Sequence, residues 1–355
     1  MIFTDCIHVE IEIKDSFYIK LINSKVLQRL KNIKQQGHTY LLNKNAIHNR
    51  FDHTLGVFAI TNLISDLKGI VGFEKKIALT TALLHDIGHG PYSHTFENVT
   101  NIHHEKWSEL LIKNDLEIKS ILNLENGLME SVLNVLRREG DLPQIEQILF
   151  SELGADKLDY IQRDYYYNFN NNPLKDDIFS IITNTNYNNK SVVVNEDILG
   201  IVQKIYKMKE RLFLSSFGHE YVLGIDLMLK ILLKEANYQE IRDISSFTNN
   251  PSVINTYLSM DDNYISKLIK DEIYHNDSIK KIHNLYLKKQ VMRYETDNIK
   301  FNDIASNFSF SEVIQRPLKY GNYSKGVSVQ LHNDVKDLSN YIPLSKYPSK
   351  IIYYV

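Results

Sequence analysis

Three histidines and two acidic residues fall within the short segment ALLHDIGHGPYSHTFE, residues 82–97. His85 and Asp86 are adjacent, and neutral imidazole and carboxylate are both suitable ligands for a divalent transition-metal ion. Two adjacent side chains can reach one ion only where the backbone is irregular, such as at a helix end. Gly88 and Gly90 permit that irregularity, because glycine tolerates backbone angles that other residues avoid. The segment therefore predicts a metal site at a helix end.

Two further segments offer residues that would complete such a site. HNRFDHTLG places His53 at the start of an amphipathic helical pattern, and ADKLDYIQRD places Asp156 on a second one. Taken alone, His53 is better explained as a capping or buried histidine, and Asp156 as an exposed helix acid. Together with His85 and Asp86 they supply enough ligands for an ion that keeps a position for water or substrate. A bound ion would lower the pKa of that water and orient it for attack.

Helical periodicity accounts for most of the chain that must position these residues. The predicted helical segments begin near residue 16 and cover about 53–67, 74–88, 105–114, 128–139, 144–167 and 198–235. Alternating apolar and polar residues over 7–13 predict one short strand. We expect a mostly α-helical fold with minor β elements.

Domain organisation is predicted from breaks in this pattern. The asparagine-rich NFNNNP, residues 168–173, marks a break, and a small hairpin is predicted near 178–196. We expect a helical core domain over residues 1–240. Residues 241–355 are expected to be helical at first and then to form a small mixed α/β appendage.

The composition is that of an ordinary globular protein. Of 355 residues, 43% are hydrophobic and 24% charged, with a formal net charge of -2. That charge gives no basic excess to hold DNA or RNA, so we expect no nucleic-acid partner. The single cysteine, Cys6, excludes an internal disulfide. We see no signal peptide and no apolar run near the roughly 20 residues that span a bilayer, and expect a cytoplasmic protein without membrane contact.

The order of the motifs resembles the HD-domain superfamily of metal-dependent phosphohydrolases. The motifs, in chain order, are HNRFDH, HDIGHGPYSH, HHE and DKLDYIQRD. Within the superfamily they look like the branch that contains the deoxynucleoside triphosphate (dNTP) triphosphohydrolases. The resemblance runs from about Asp5 to Asp164, with weaker similarity to about residue 236. It implies an HD-type helical core and a divalent metal cofactor, which could be Mn, Mg, Fe, Zn or Ni.

The resemblance also implies roles for individual residues. The positions that match the metal ligands of the family are His53, His85, Asp86 and Asp156. His89 would lie against the phosphates, while His94, Glu97 and His104 would form an acid–base group on the leaving-group side. The family has aspartate where this chain has Glu97.

The neighbouring pair His103-His104 leaves open which of the two imidazoles points inward. The family reads His-Glu at this place, and Glu105 follows His104, which favours His104. A histidine near neutral pKa is a suitable proton donor, and an adjacent carboxylate would raise its pKa and fix its tautomer.

The positions that match the substrate-binding residues of the family are Gln35, Arg50, Lys157, Tyr160 and Asp164. In the resembling enzymes the counterparts of Arg50 and Lys157 bind phosphate, and the others lie against the deoxyribose. The spacing of Asp156, Tyr160 and Asp164 also allows one helix face to present a metal ligand, an aromatic ring and a sugar acceptor.

The leading functional hypothesis is metal-dependent hydrolysis of dNTPs to deoxynucleoside and triphosphate. An HD-type phosphatase or phosphodiesterase acting on another nucleotide stays open, as does a nucleotide-binding regulatory subunit with little turnover. Some members of the branch are tetramers, and we expect a homo-oligomer, a dimer or a tetramer. The basic residues of an activating second nucleotide site are not convincingly present, since Lys31 stands at an expected arginine position.

Overall fold

The computed structural model describes residues 1–188, 191–291, 293–295, 316–317, 327–331, 334–338, 341 and 351–354. The predicted mostly α-helical fold with minor β elements is confirmed. Within the described ranges, no helix combines the length and the apolar character that crossing a bilayer requires.

The helices, in chain order, are α1 (Ser16–Asn23), α2 (Lys25–Arg29), α3 (Arg50–Lys68), α4 (Gly72–Leu84), α5 (His94–Thr100), α6 (His104–Asn114), α7 (Leu116–Leu122), α8 (Leu128–Arg137), α9 (Pro143–Phe150), α10 (Ala155–Phe169), α11 (Ile178–Thr183), α12 (Leu199–Ser215), α13 (Glu220–Glu235), α14 (Gln239–Ser245), α15 (Pro251–Ser259), α16 (Asp262–Asp271) and α17 (Asp277–Leu287). Short 3-10 helices cover Leu30–Asn32, Gly37–Leu41 and Glu196–Ile198. The strands are β1 (Ile2–Asp5), β2 (Val9–Glu12), β3 (Thr185–Tyr187), β4 (Val192–Asn195), β5 (Arg293–Glu295), β6 (Arg316–Pro317), β7 (Val327–Leu331), β8 (Asp334–Asp337) and β9 (Ile351–Tyr354).

An N-terminal hairpin lies beside the helical core. β1 and β2 pair antiparallel, with Asp5 opposite Val9. The Asp5 carboxylate accepts hydrogen bonds from the backbone N–H groups of Ile7 and His8, each at 2.8 Å. The predicted strand over 7–13 corresponds to β2, and β1 is an addition to the prediction. The turn between the strands carries His8, whose side chain contacts Asp159 of α10.

Helices α3 and α10 pack against each other at the centre of the molecule. α3 begins at Arg50, because the Asn49 side chain caps it by accepting from the backbone N–H of Asp52. A Cβ atom on Gly56 would lie 1.9 Å from Asp159 Oδ1, so only glycine at this position permits the observed contact between the helices. α3 thus starts three residues before the predicted start, and His53 lies in its first turns.

Two long predicted helices are each divided in two. The segment predicted as one helix over 144–167 is α9 and α10, separated by an extended Ser151 and Gly154. A Cβ atom on Gly154 would lie 2.6 Å from the Leu149 carbonyl oxygen, which identifies a tight turn that periodicity did not reveal. The segment predicted as helical over 198–235 is likewise α12 and α13, with Ser216 in a non-helical conformation between them.

The small hairpin is shorter than predicted. It consists of β3 and β4, which pair antiparallel, and the preceding residues from Ile178 form α11. Ile178, Ile181 and Ile182 follow the i, i+3, i+4 spacing of one helix face, which explains the difference. The break at 168–173 begins where α10 ends, and Asn170 has a left-handed φ of 52° there.

Part of the C-terminal region joins the hairpin. β7 pairs parallel with β4 and antiparallel with β8, which gives the strand order β3-β4-β7-β8. A second sheet has the order β5-β9-β6. Much of the predicted α/β appendage, including residues 301–315 and 342–350, lies outside the described residues. The predicted boundary near residue 240 stays a prediction.

The buried apolar residues form two clusters. The larger lies mainly among the helices from α1 to α12 and also includes Ile254 of α15 and Val327 and Val329 of β7. The smaller joins α13 to α17 with Tyr92, Phe96 and Trp107, which belong to the middle of the chain. The indole of Trp107 stacks on the ring of Tyr257 at a centroid distance of 3.7 Å. Helices from the later part of the chain therefore pack directly against the segment around residue 90.

Candidate metal centre and active site

The four predicted metal ligands converge from helices α3 and α10 and from the backbone just after α4. His53 Nε2 lies 3.7 Å from Asp86 Oδ2 and 3.3 Å from Asp156 Oδ1. His85 Nε2 lies 3.4 Å from Asp86 Oδ1 and 3.9 Å from Asp156 Oδ1. α4 ends at Leu84, so His85 and Asp86 lie in the irregular backbone just beyond a helix end. His53 and Asp156 are 103 positions apart in the sequence, and the fold brings their side chains together. His53, His85 and Asp86 are close enough to share one ion, and Asp156 lies beside them.

The imidazole of His85 fits a metal ligand. Its Nδ1 donates a hydrogen bond to the carbonyl oxygen of Ala82 at 2.8 Å, which fixes the tautomer with the lone pair on Nε2. That Nε2 atom is buried and has no hydrogen-bond partner among the described residues. A buried nitrogen without a partner is costly, and a divalent ion would satisfy it. The donor set of two imidazoles and two carboxylates fits Mn, Fe, Zn or a similar ion.

The orientation of His53 is set by a buried carboxylate. Its Nδ1 donates to Asp159 Oδ2 at 2.8 Å, which leaves Nε2 directed at Asp86 and Asp156. Arg163 donates to the same carboxylate through Nε at 2.9 Å and Nη2 at 3.0 Å. His8 of the N-terminal hairpin donates to Asp159 Oδ1 at 2.7 Å. Such carboxylate–histidine contacts orient metal-binding histidines.

The contacts among these residues also determine the pKa values of His53, Asp86 and Asp156. Burial opposes charge on His53, yet the hydrogen bonds to Asp156 and Asp159 raise its pKa to about 10. Burial also opposes charge on Asp156, but the His53 hydrogen bond and the neighbouring His85 lower its pKa to about 2. Against burial, the charges of His85 and Arg50 hold the pKa of Asp86 well below its usual value. Both carboxylates are therefore ionised at neutral pH.

A second group of side chains lies next to the metal ligands. The rings of His89 and His104 stack with their centroids 3.7 Å apart. Glu97 Oε1 accepts from His104 Nδ1 at 2.5 Å and from His94 Nδ1 at 3.1 Å. Although glutamate replaces the aspartate of the family here, its carboxylate reaches both histidines. The four residues could themselves hold an ion, because their ligand atoms lie within 4.8 Å of one another.

The structure distinguishes the two neighbouring histidines. The His104 side chain is 12% exposed and lines the cavity beside the metal ligands. The His103 side chain is 52% exposed and caps α6 by accepting from the backbone N–H of Glu105. Burial lowers the pKa of His104, while the hydrogen bond to Glu97 opposes that effect. His104 is thus the histidine that faces the cavity.

Arg50 connects the metal ligands with the adjoining loop. Its Nη1 donates to Asp86 Oδ2 at 2.5 Å, and its Nε donates to Ser93 Oγ at 2.7 Å. Nη2 lies 3.4 Å from the carbonyl oxygen of Gln35. The guanidinium therefore holds Asp86 in place and also forms part of the cavity wall.

Four of the five predicted substrate residues line one cavity of about 510 Å³, a size suited to a nucleotide. They are Gln35, Arg50, Tyr160 and Asp164. The Gln35 Oε1 atom is buried without a hydrogen-bond partner among the described residues. Asp164 Oδ1 accepts from His48 Nε2 at 2.7 Å, an interaction that fixes its carboxylate.

Lys157 differs from the other predicted substrate residues. Its Nζ donates to the carbonyl oxygen of Phe150 at 2.9 Å and lies 3.9 Å from Glu152 Oε1. It is not among the described residues that line the cavity. The structure therefore does not bring the Lys157 amino group to the other four.

Residues of α15 and α16 hold the loop between α4 and α5 in place. Tyr92 and Ser93 have positive φ angles of 55° and 57°, a conformation that side-chain-bearing residues rarely adopt. Asp262 Oδ1 accepts from the backbone N–H of Tyr92 at 2.7 Å, and its Oδ2 accepts from that of Lys34 at 3.1 Å. The Tyr257 hydroxyl donates to the Gly88 carbonyl oxygen at 2.6 Å. α15 and α16 thus help to position Ser93 and its contact with Arg50.

Sequence reasoning missed several residues that support the site. These are His8, Ser93, Asp159, Arg163 and Asp262. The i, i+4 spacing of Asp159 and Arg163 on the predicted helix was a usable signal for an ion pair. Asp262 gave no comparable signal, because its partners lie far away in the sequence.

The profile of the HD domain family matches residues 50–164, the segment that holds all four candidate ligands. Residues 50–164 form an HD domain. The chain is 37% identical to the uncharacterized protein YwfO of Bacillus subtilis over 172 residues, which cover 47% of this chain and 40% of YwfO. It is 38% identical to the deoxynucleoside triphosphate triphosphohydrolase SAMHD1 of Gallus gallus over 103 residues, 27% of this chain and 17% of that protein.

The fold extends beyond the HD domain. A crystal structure of a phosphohydrolase from Bacteroides thetaiotaomicron superposes with a TM-score of 0.81 at 20% sequence identity. The match covers 100% of this chain and 98% of that one, so the two proteins share their fold. By sequence, the chain spans 40% to 61% of the length of three curated relatives.

Proposed function

We propose that this protein is a metal-dependent phosphohydrolase that converts dNTPs to deoxynucleoside and triphosphate. One observation carries the proposal: candidate metal ligands share a nucleotide-sized cavity with Arg50 and with His104, whose Nδ1 atom is hydrogen-bonded to Glu97. The similarity to SAMHD1, named as a dNTP triphosphohydrolase, supports the choice of substrate. The homo-oligomeric state and the cytoplasmic location expected from the sequence stay predictions.

The residues of this chain have distinct roles in the proposed reaction. A divalent ion held by the two histidines and two aspartates would polarise the phosphate and supply a water of lowered pKa. Arg50 presents a guanidinium at the cavity wall, where phosphate oxygens carry charge. Glu97 accepts the Nδ1 proton of His104, so that when the ring is protonated its Nε2 proton can pass to the departing oxygen and leave a neutral imidazole.

The charge of the cavity favours a second candidate substrate class. Arg50 is the single lysine or arginine among the described lining residues. The carboxylates among them belong to Asp86, Glu105, Asp156, Asp164 and Asp226. A triphosphate brings several negative charges into this surrounding and needs accompanying divalent ions. A phosphatase that acts on nucleoside monophosphates, or a phosphodiesterase, meets less repulsion.

Product analysis tests both candidates. The purified chain is incubated with each dNTP, and separately with each deoxynucleoside monophosphate, in the presence of Mn or Mg. Anion-exchange chromatography of dNTP reactions should show deoxynucleoside and intact triphosphate, and His85→Ala should abolish both. Deoxynucleoside and phosphate from monophosphates alone would favour the second candidate. Absence of turnover on every nucleotide would contradict the proposed function.

A further inference from the structure

The cavity has an apolar wall on the side formed by α13 and the turn before it. Phe217, Val222 and Leu223 line the cavity there, whereas the metal end is lined by histidines and carboxylates. Phosphates belong at the metal end, beside Arg50. The planar, weakly polar part of a nucleotide, its base, is therefore expected against the apolar wall.

One charged side chain of α13, that of Asp226, completes this wall. Asp226 follows Val222 by one helical turn and lines the same cavity, with 23% of its side chain exposed. Its Oδ1 accepts from His38 Nδ1 at 2.6 Å. In the described part of the chain, no side chain donates a hydrogen bond to Oδ2. A carboxylate oxygen at the cavity wall is thus available to a ligand.

The Asp226 carboxylate is held rigidly from behind. His38 is fully buried, and its ring stacks on Tyr92 at a centroid distance of 4.1 Å. His38 Nε2 lies 3.2 Å from the Tyr286 hydroxyl, which can donate to it. This arrangement fixes the tautomer that donates from Nδ1 to Asp226. The carboxylate is therefore preorganised, which is what a specificity-determining group requires.

We propose that Asp226, held by His38, selects the base of the bound nucleotide and favours bases with an exocyclic amino group over thymine. This proposal rests on the proposed function, since it assumes a nucleotide in the cavity. An ionised carboxylate only accepts hydrogen bonds. The amino groups of guanine, adenine and cytosine donate, and guanine also has a ring N–H beside its amino group. Thymine has a single ring N–H flanked by two carbonyl oxygens, which the carboxylate repels.

Deoxynucleosides are suitable probes, because they carry the base and sugar but no phosphate and cannot be hydrolysed by this chemistry. Binding to the metal-loaded full chain is measured by titration calorimetry or ligand-observed NMR. We expect deoxyguanosine, deoxyadenosine and deoxycytidine to bind about tenfold more tightly than thymidine, the usual effect of one hydrogen bond to a charged group. Deoxyinosine, which lacks the amino group of guanine, should bind more weakly than deoxyguanosine, a comparison that needs no variant.

Three variants separate base selection from a structural effect. Asp226→Asn is nearly isosteric but presents a donor, so the preference should disappear or turn toward thymidine. Asp226→Glu keeps the carboxylate and should keep the direction of the preference. Glu235→Gln, an exposed acid-to-amide change on the same helix, should leave it unchanged.

Each result of these binding measurements either supports or overturns the role proposed for Asp226. Equal binding of all probes by the unaltered chain, or an Asp226→Asn variant that keeps the original order, overturns the proposal. Failure of every deoxynucleoside to bind overturns it as well. Hydrolysis of nucleotides, followed separately, then shows whether the proposed function survives without base selection.

Discussion

The imidazole rings of His89 and His104 stack with their planes only 15° apart and their centroids 3.7 Å apart. Two protonated rings at this distance would repel each other, and burial, Arg50 and His104 together hold the pKa of His89 well below its usual value. The stack therefore accepts a proton on one ring at most. His104 is the better placed of the two, because it also donates to Glu97.

The neighbouring histidines His103 and His104 provide a matched pair of variants. His104→Ala should reduce kcat by about 10² to 10⁴, the usual contribution of a general acid. His103→Ala removes an exposed ring that caps α6, which typically costs about 1 kcal/mol of stability, and should lower kcat far less than His104→Ala does. Steady-state kinetics on the preferred nucleotide measures both. Equal losses in the two variants would show that His104 has no special role.

Metal binding should depend on pH through His53. Burial opposes its protonation, yet Asp156 and Asp159 raise its pKa to about 10, so an ion at Nε2 must displace a proton at neutral pH. Metal affinity should therefore rise with pH, by up to about tenfold per unit below pH 10. Calorimetric titration in buffers of different ionisation enthalpy should reveal about one proton released per ion. Affinity that is constant from pH 6 to 8 would contradict this ionisation state.

Asp159 should affect metal affinity without touching the ion. Asp159→Asn weakens the hydrogen bond that orients His53, and loss of such a partner typically costs about 10- to 100-fold in metal affinity. His8→Ala removes a different partner of Asp159 and should have a smaller effect. Competition with a chromogenic chelator measures both affinities. Arg163 keeps its 2.8 Å contact with Asp5, which limits the loss of stability in Asp159→Asn.

Substitutions at Asp262 and at its neighbour Asp261 test whether α16 positions the loop between α4 and α5. Asp262→Ala leaves the backbone N–H groups of Tyr92 and Lys34 without their acceptor, at a cost of about 1–3 kcal/mol for the buried group of Tyr92. Asp261→Ala removes the N-cap of α16, which typically costs about 1 kcal/mol.

Denaturant unfolding and kinetics distinguish these two variants. Both should lower the free energy of unfolding, but Asp262→Ala alone should also lower kcat, because it releases the loop that carries Ser93. Restoring the carboxylate in Asp262→Glu should recover part of the rate. An unchanged kcat in Asp262→Ala would mean that α16 stabilises the fold without positioning the site.

Much of the helical framework could be predicted from sequence, because amphipathic spacing is a local property. The predicted start of α3 lies three residues from the observed start. The predicted end of α4 lies a few residues beyond the observed end at Leu84. The breaks at Gly154 and Ser216 were missed because helical periodicity continues through both places. Hairpin strand β1 was missed as well, since four residues carry too little pattern.

The site could be predicted where its residues belong to short sequence motifs. His53, His85, Asp86 and Asp156 belong to such motifs, and the structure places the first three in one group with Asp156 beside them. The orientation of the Lys157 side chain depends on the carbonyl of Phe150 and could not be read from spacing. Contacts such as that between His38 and Asp226 join segments without any shared pattern, and only the folded chain shows them.

The hydrogen bond between Tyr92 and Asp262 spans 170 positions of the chain. Closing so long a loop is entropically unfavourable until other contacts support it, so this bond belongs to the late stages of folding. A nascent chain that has emerged only as far as residue 164 already contains every candidate metal ligand. It still lacks the residues that hold Tyr92 and Ser93 in their left-handed conformation. During synthesis, the candidate ligands would therefore emerge before the residues that position the loop carrying Ser93.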